Sequence, residues 1–173
     1  TKPVQVIWAG KPYPKDEEAI RIFNDIVTTS HTNSKMAILT GYELGLSKLL
    51  KQGTDVWLNN PRFTREASGT SGMTAAMNGT INLSNLDGWM SEYGINKVNS
   101  FIMGHADPST PINDQDNQDA EALYKMLEET LVPTYYNRPE EWLTIMKKAA
   151  TDIIPFFNSD RMADEYYTKL YNV

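Results

Sequence analysis

A three-layer α/β fold with a mainly parallel sheet, extended by helices at its C-terminal end, is predicted by three features of this chain. Short apolar, β-branched runs recur along the first hundred residues and are too short to be helices. Stretches with apolar residues at 3.6-residue spacing lie between those runs, the order expected of β-α-β units with right-handed crossovers. From about Asp116 the runs stop and only helical periodicity remains.

The elements follow in order. Val4 to Ala9 reads as a buried strand ended by Gly10. Pro12 and Pro14 make a loop, and Asp16 can cap a helix whose Ala19, Ile22, Phe23, Ile26 and Val27 share one face. After the polar loop Ser30 to Ser34, Met36 to Leu39 is a second strand. Gly41 to Gln52 is a second helix, with Tyr42, Leu46, Leu49 and Leu50 inward and Gly53 as its C-cap. Asp55 to Leu58, Thr80 to Leu83 and Ser100 to Met103 supply three more strands. Asp107 to Asp119, polar and holding two prolines, reads as a flexible loop, and the acidic run from Asp114 to Glu121 as solvated. Beyond it, Ala120, Leu123, Tyr124, Leu127 and Leu131 make one apolar face. Trp142, Ile145, Met146 and Ala149 make a second, and Met162, Tyr166 and Leu170 a third; Trp142 and Tyr166 are expected in the core.

Composition bounds the function. The chain has 173 residues, enough for one domain, expected over 1–173, with a sizeable core. A net charge of −6 argues against nucleic acid as a partner, because phosphate neutralisation needs a basic surface. Cysteine is absent, and the two histidines, His31 and His105, lack metal-ligand spacing, so no metal is expected. His105 reads as a surface loop residue. No apolar run approaches bilayer length, so no membrane association is expected and the cytoplasm is the default compartment. The start at Thr1-Lys2-Pro3, almost directly on a strand, reads as a piece of something longer.

Chemistry concentrates between Glu66 and Gly79. Ser68-Gly69-Thr70-Ser71-Gly72 lies between a strand-loop and an alanine-rich helical turn, with small side chains throughout. Main-chain N–H groups there, together with the positive end of a helix, make an anion site suited to phosphate. In open α/β sheets such a loop lies at the carboxyl ends of the strands, where ligands bind. Glu66 can accept hydrogen bonds from sugar hydroxyls. The sequence alone equally allows a small-residue turn that packs helix on sheet, since a lone glycine-rich loop is a weak signal. Asp87-Gly88-Trp89 reads as a turn whose Trp packs on the domain.

Glu66-Ala67-Ser68-Gly69-Thr70, Gly72-Met73, Asn78-Gly79 and Leu86-Asp87-Gly88 together resemble the signature of the glycogen and maltodextrin (α-glucan) phosphorylases. Ala9-Gly10-Lys11, Pro14-Lys15-Asp16 and Asp55 to Asn59 are similar to the short bacterial branch, and Pro133-Thr134-Tyr135-Tyr136 continues the likeness downstream. The resemblance implies the C-terminal, Rossmann-like half of a GT-B glycosyltransferase. It implies reversible phosphorolysis of α-1,4-glucans to glucose 1-phosphate with retention, alongside an N-terminal GT-B domain of the same parent chain. Glu66 would hold glucose hydroxyls, the amides of Ser68 and Gly69 the sugar, and Thr70 with Gly69 a cofactor or substrate phosphate. Tyr42 matches a tyrosine near the phosphate of pyridoxal phosphate.

The chain departs from that pattern at Thr74, where the family carries the lysine that bonds pyridoxal phosphate as an imine. Threonine has no amine, so the cofactor would be held without that bond or be absent. Tyr13 stands where a histidine is common, and Glu43 where animal-type enzymes carry arginine. Two further readings are therefore a cofactor-independent glycosyltransferase using a nucleotide sugar and a non-catalytic glucan-binding domain. The resemblance also places the phosphate-gripping basic residues ahead of Thr1, so the fragment alone is expected to be inactive. Its sheet would expose an edge that favours homo-oligomers.

Overall fold

The computed structural model describes residues 2–172; the first and last positions of the expected domain lie outside them. The chain divides into two compact units, one reaching to Leu50 and the other starting at Lys51.

In the first unit, β1 (Val6–Ala9) pairs in parallel with β2 (Met36–Leu39), joined by α1 (Glu17–Ser30). Asp16 caps α1, its carboxylate accepting from the Ala19 amide at 2.9 Å. The expected apolar stripe of α1 is present but shallow: Ala19, Phe23, Ile26 and Val27 are half-buried and Ile22 is exposed. β1 was expected to be buried, yet Val6, Ile7 and Trp8 are each about two-fifths exposed (39%, 44% and 41%). The reason is geometric, because each of these strands has a single strand partner among the described residues. α2 (Leu44–Gly53) starts later than expected, leaves Leu49 exposed and takes Gly53 as its last residue rather than its cap.

In the second unit β3 (Val56–Asn59), β4 (Ile81–Ser84) and β5 (Ser100–Ile102) form a parallel sheet with β4 in the centre. Parallel register places Val56, Ile81 and the Leu83–Phe101 pair on one face, and the Asn82–Ser100 and Ser84–Ile102 pairs on the other. The apolar face meets Leu131, Trp142 and Ile145 from the C-terminal helices. The opposite face receives α3 (Thr70–Met77), where the Asn82 carboxamide donates to the Gly72 carbonyl at 3.1 Å. Next to it, α4 (Met90–Tyr93) adds Met90 and Tyr93 to a cluster with Trp89 and Ala76. Helices therefore cover both faces of this sheet, the expected three-layer arrangement.

Helix begins earlier than Asp116. α5 (Ile112–Met126) runs through a π-helical turn at Leu127–Leu131 into α6 (Val132–Asn137) and then α7 (Pro139–Phe156). The segment expected as a flexible loop is thus mostly helix, because Gln115 and Asp119 are buried and hold what precedes them. Gln115 donates to the Thr110 carbonyl at 2.6 Å, and Asp119 accepts from the Ala106 amide at 2.7 Å. Asp119 is accordingly a buried anchor within a run expected to be solvated. Trp142 is in the core as expected. Tyr166, expected there too, is exposed along with Met162, Leu170 and Tyr124. Their faces on α8 (Ser159–Tyr166), on the turn Tyr167–Tyr171 and on α5 are periodic, but periodicity does not supply a partner surface.

Ile145→Ala should cost about 2–5 kcal/mol in a denaturant melt, because Ile145 is 1% exposed within the main cluster. Tyr93 donates its buried hydroxyl to the Ala149 carbonyl at 2.7 Å. Burial, and then the nearby Asp152 carboxylate, push its phenol well above the ordinary tyrosine range. A raised native pKa means that this contribution is intact below pH ~10 and is lost as pH rises further. Tyr93→Phe should therefore lessen the fall in stability above pH ~10, read from melts across that range.

Candidate functional site

The loops at the carboxyl ends of β3 and β4 are tied together by main-chain and carboxylate bonds. Asp87 accepts from the Glu66 amide through Oδ2 and from the Gly88 amide through Oδ1, each at 3.0 Å. Two residues on, the Trp89 amide donates to the Ser68 carbonyl at 2.8 Å. The segments 66–68 and 87–89 are held side by side, and α3 begins directly after them.

Glycine is required at the contact points. Gly69, the N-cap of α3, has φ +96°, and a Cβ there would lie 2.7 Å from Trp89 Cδ1. Gly88 has φ +53°, and its Cβ would meet the Ser68 carbonyl oxygen at 2.6 Å. In the first turn of α3, a Cβ on Gly72 would stand 2.6 Å from Asn82 Oδ1. The Gly69 and Gly88 backbones are left-handed, a conformation costly for side-chain-bearing residues. At the far end of α3, Gly79 closes the helix with φ +83° while the Thr80 amide returns to the Ala75 carbonyl at 3.1 Å.

This geometry leaves donors free. Gly69 has no side chain to cap the helix. The main-chain N–H groups of Ser68, Gly69, Thr70 and Ser71 find no acceptor among the described residues; only the Gly72 amide is engaged, by Gly69 O at 3.2 Å. These are the unsatisfied first-turn donors of a helix, carrying its positive partial charge. The Glu66 carboxylate is half-buried beside them, its Oε1 lying 3.2 Å from the position that a Gly69 Cβ would take. Donors for an anion and an acceptor for hydroxyls therefore share one small surface.

Five of the six residues expected at the site, Glu66, Ser68, Gly69, Thr70 and Thr74, fall on this loop and helix. Tyr42 belongs to the first unit, where its hydroxyl donates to Ser47 Oγ at 3.0 Å. The residues that shape the loop were not singled out as such: Asp87, and Trp89 at 2% exposure, together with the fully buried Asn82 and Asn85. The sequence signal for two of them is the turn Asp87-Gly88-Trp89, whose Trp is expected to pack on the domain and does so. The Trp89 indole N–H and the Oδ1 atoms of Asn82 and Asn85 are buried without a hydrogen-bond partner among the described residues.

Pyridoxal phosphate held as an imine does not fit these residues. The Thr74 hydroxyl turns back on its own helix, donating to the Thr70 and Ser71 carbonyls at 3.2 and 3.1 Å. No described residue on α3 offers an amine in its place. No group of three or more His, Cys, Asp or Glu side chains able to hold a metal occurs among the described residues.

No family model matches the chain. It is 39% identical over 175 residues to the maltodextrin phosphorylase of Thermococcus litoralis and 40% identical over 179 residues to the glycogen phosphorylase of Aquifex aeolicus. Each alignment takes in 99% of the chain. Along nearly its whole length the chain is similar to a segment of these α-glucan phosphorylases. An uncharacterized protein of Methanocaldococcus jannaschii shares 45% identity over 171 residues, 98% of the chain. The chain spans 31%, 21% and 25% of the lengths of the Methanocaldococcus, Thermococcus and Aquifex relatives. The fold is also that of Anabaena HepE, solved in complex with UDP and glucose, with a TM-score of 0.74 at 15% identity over 98% of this chain and 41% of that one. This Rossmann-like α/β fold is the one expected for half of a GT-B glycosyltransferase.

Gly69→Ala should lower stability by more than 2 kcal/mol, roughly the sum of left-handed strain and a clash with a buried ring. Asp87→Asn should cost about 1.5–3 kcal/mol, since it weakens two bonds to a charged acceptor. Chemical denaturation of both variants measures these costs.

Proposed function

We propose that this segment is the C-terminal domain of an α-glucan phosphorylase-like retaining glycosyltransferase that binds a glucosyl unit and a phosphate at the N-terminal end of α3. The observation that carries the reading is the set of free amides from Ser68 to Ser71 beside the Glu66 carboxylate, fixed by Asp87 and the left-handed Gly69. In this role Glu66 accepts from glucose hydroxyls, the Ser68 and Gly69 amides hold the sugar, and Gly69 with Thr70 receives phosphate oxygens. Transfer between a glucosyl unit and phosphate develops positive charge on the sugar and negative charge on the leaving oxygen. Oriented amides meet that charge without reorganising and without a covalent nucleophile. The N-terminal half of the parent chain would close the site and supply the glucan-binding surface, so the segment alone is inactive in this reading. A cytoplasmic setting suits such a role; no helix among the described residues is long and apolar enough to cross a membrane.

Thr74 favours a second reading, in which the same amides receive the diphosphate of a nucleotide sugar and no pyridoxal phosphate is used. Full-length protein should melt at a higher temperature with glucose 1-phosphate under the first reading, and with a nucleoside diphosphate glucose under the second. A protein that neither ligand stabilises would sink both. Borohydride treatment with pyridoxal phosphate should leave no stoichiometric adduct on α3 of the wild type, whereas Thr74→Lys should gain one, read by peptide mass, if the loop still cradles that cofactor.

A further inference from the structure

β5 is an edge strand among the described residues, and Asn96 lies alongside it, bridged to Ser100. Asn96 Oδ1 accepts from the Ile102 amide at 3.0 Å on that outer edge, while the Met103 amide turns inward to the Ser84 carbonyl at 3.0 Å. Towards the carboxyl end of β5, where ligands of open α/β sheets collect, lies a cavity of about 430 Å³. Leu86, Asn96, Ile102, Met103, Gly104 and His105 line it. Met103 is 2% exposed and belongs to the main core, so core packing fixes that part of the apolar wall.

His105 supplies the one ring of the lining, and its surroundings fix its orientation. The imidazole stacks on Phe63 with centroids 3.7 Å apart and planes 8° from parallel. Its Nδ1 lies 3.0 Å from the Ala106 carbonyl, which can only accept, so Nδ1 carries the proton and Nε2 is the free nitrogen. The Ala106 amide donates to the buried Asp119 carboxylate at 2.7 Å. Phe63 is anchored through its neighbour Arg62, whose Nε and Nη2 donate to the two oxygens of Asp116 at 2.7 and 2.8 Å. One face of an exposed imidazole is thus covered and its plane is set before any ligand arrives.

The polar groups left over along this edge are donors. With its oxygen engaged, Asn96 retains an NH2 group that has no acceptor among the described residues. The Gly104 amide has none either. A sugar carries a proton on every hydroxyl, and no lining side chain has a free oxygen to receive one. A flat heterocycle instead presents apolar faces to Leu86, Ile102 and Met103, and ring nitrogens or carbonyl oxygens that accept at its edge.

We propose that this cavity binds the base of a nucleoside or nucleotide. The heterocycle continues the Phe63–His105 stack, and its edge accepts from Asn96 Nδ2 and the Gly104 amide. The assignment does not depend on what the amides of α3 hold.

Titration calorimetry on the full-length protein tests it, with adenosine and uridine as probes and ribose as the control. None of the three carries a phosphate, so the α3 turn adds nothing to the signal. At least one nucleoside should bind and ribose should not. His105→Ala should weaken nucleoside binding about tenfold, the scale of one base–aromatic stack, and His105→Phe should keep most of it. Asn96→Asp keeps an oxygen for the Ile102 amide but loses the donor, and should weaken binding several-fold. Far-UV circular dichroism and melting temperature verify that the variants fold; should His105→Ala unfold, Asn96→Asp carries the test. A wild type that binds neither nucleoside overturns the proposal. So does ribose binding as tightly as the nucleosides, or wild-type affinity in the folded His105 and Asn96 variants.

Discussion

One carboxylate holds two loops in register. Asp87 binds the Glu66 amide and the Gly88 amide at once, and the Trp89 amide then meets the Ser68 carbonyl. Because those groups belong to the backbone, the bonds fix the path of the chain rather than a side-chain rotamer. The path takes left-handed turns at Gly69 and Gly88, and a glycine N-cap has no side chain to accept from the first amides of α3, which lack intrahelical acceptors in any helix. The donor surface is thus a by-product of how the loop is tied down.

The sheet itself has an unusual polarity. β4 is buried along its whole length, yet its residues alternate between Ile81 or Leu83 on one face and Asn82 or Ser84 on the other. The apolar face builds the core with Phe101, Trp142 and Ile145. The polar face lets α3 approach closely, with Gly72 over Asn82 and the Trp89 ring edge against Gly69 and Gly72. Buried polar atoms left without partners there are costly. Such costs concentrate where function requires a shape that packing alone would not choose.

The departures from expectation have a common cause. Tyr166, Met162, Leu170 and Tyr124 sit on helical stripes as regular as that of Ile145, but they remain exposed. Periodicity tells which residues share a face, not what the face meets. Conversely, Asp119 and Gln115 read as solvated polar residues, and are buried because each satisfies main-chain groups of the preceding turn. Hydrogen bonding of that kind leaves no periodic trace.

By itself the amino-acid sequence determined the alternation of strands and helices, the layered parallel architecture, and the glycine-rich turn between Glu66 and Gly79. These are local properties, set by residue size, branching and the conformations that glycine alone tolerates. The tertiary structure decided which amides remain free, that Asp87 rather than a capping side chain organises them, and that Arg62 is spent on Asp116. Each depends on groups far apart in the chain, such as Arg62 and Asp116 or Glu66 and Asp87, whose approach is fixed only when the sheet brings its loops together.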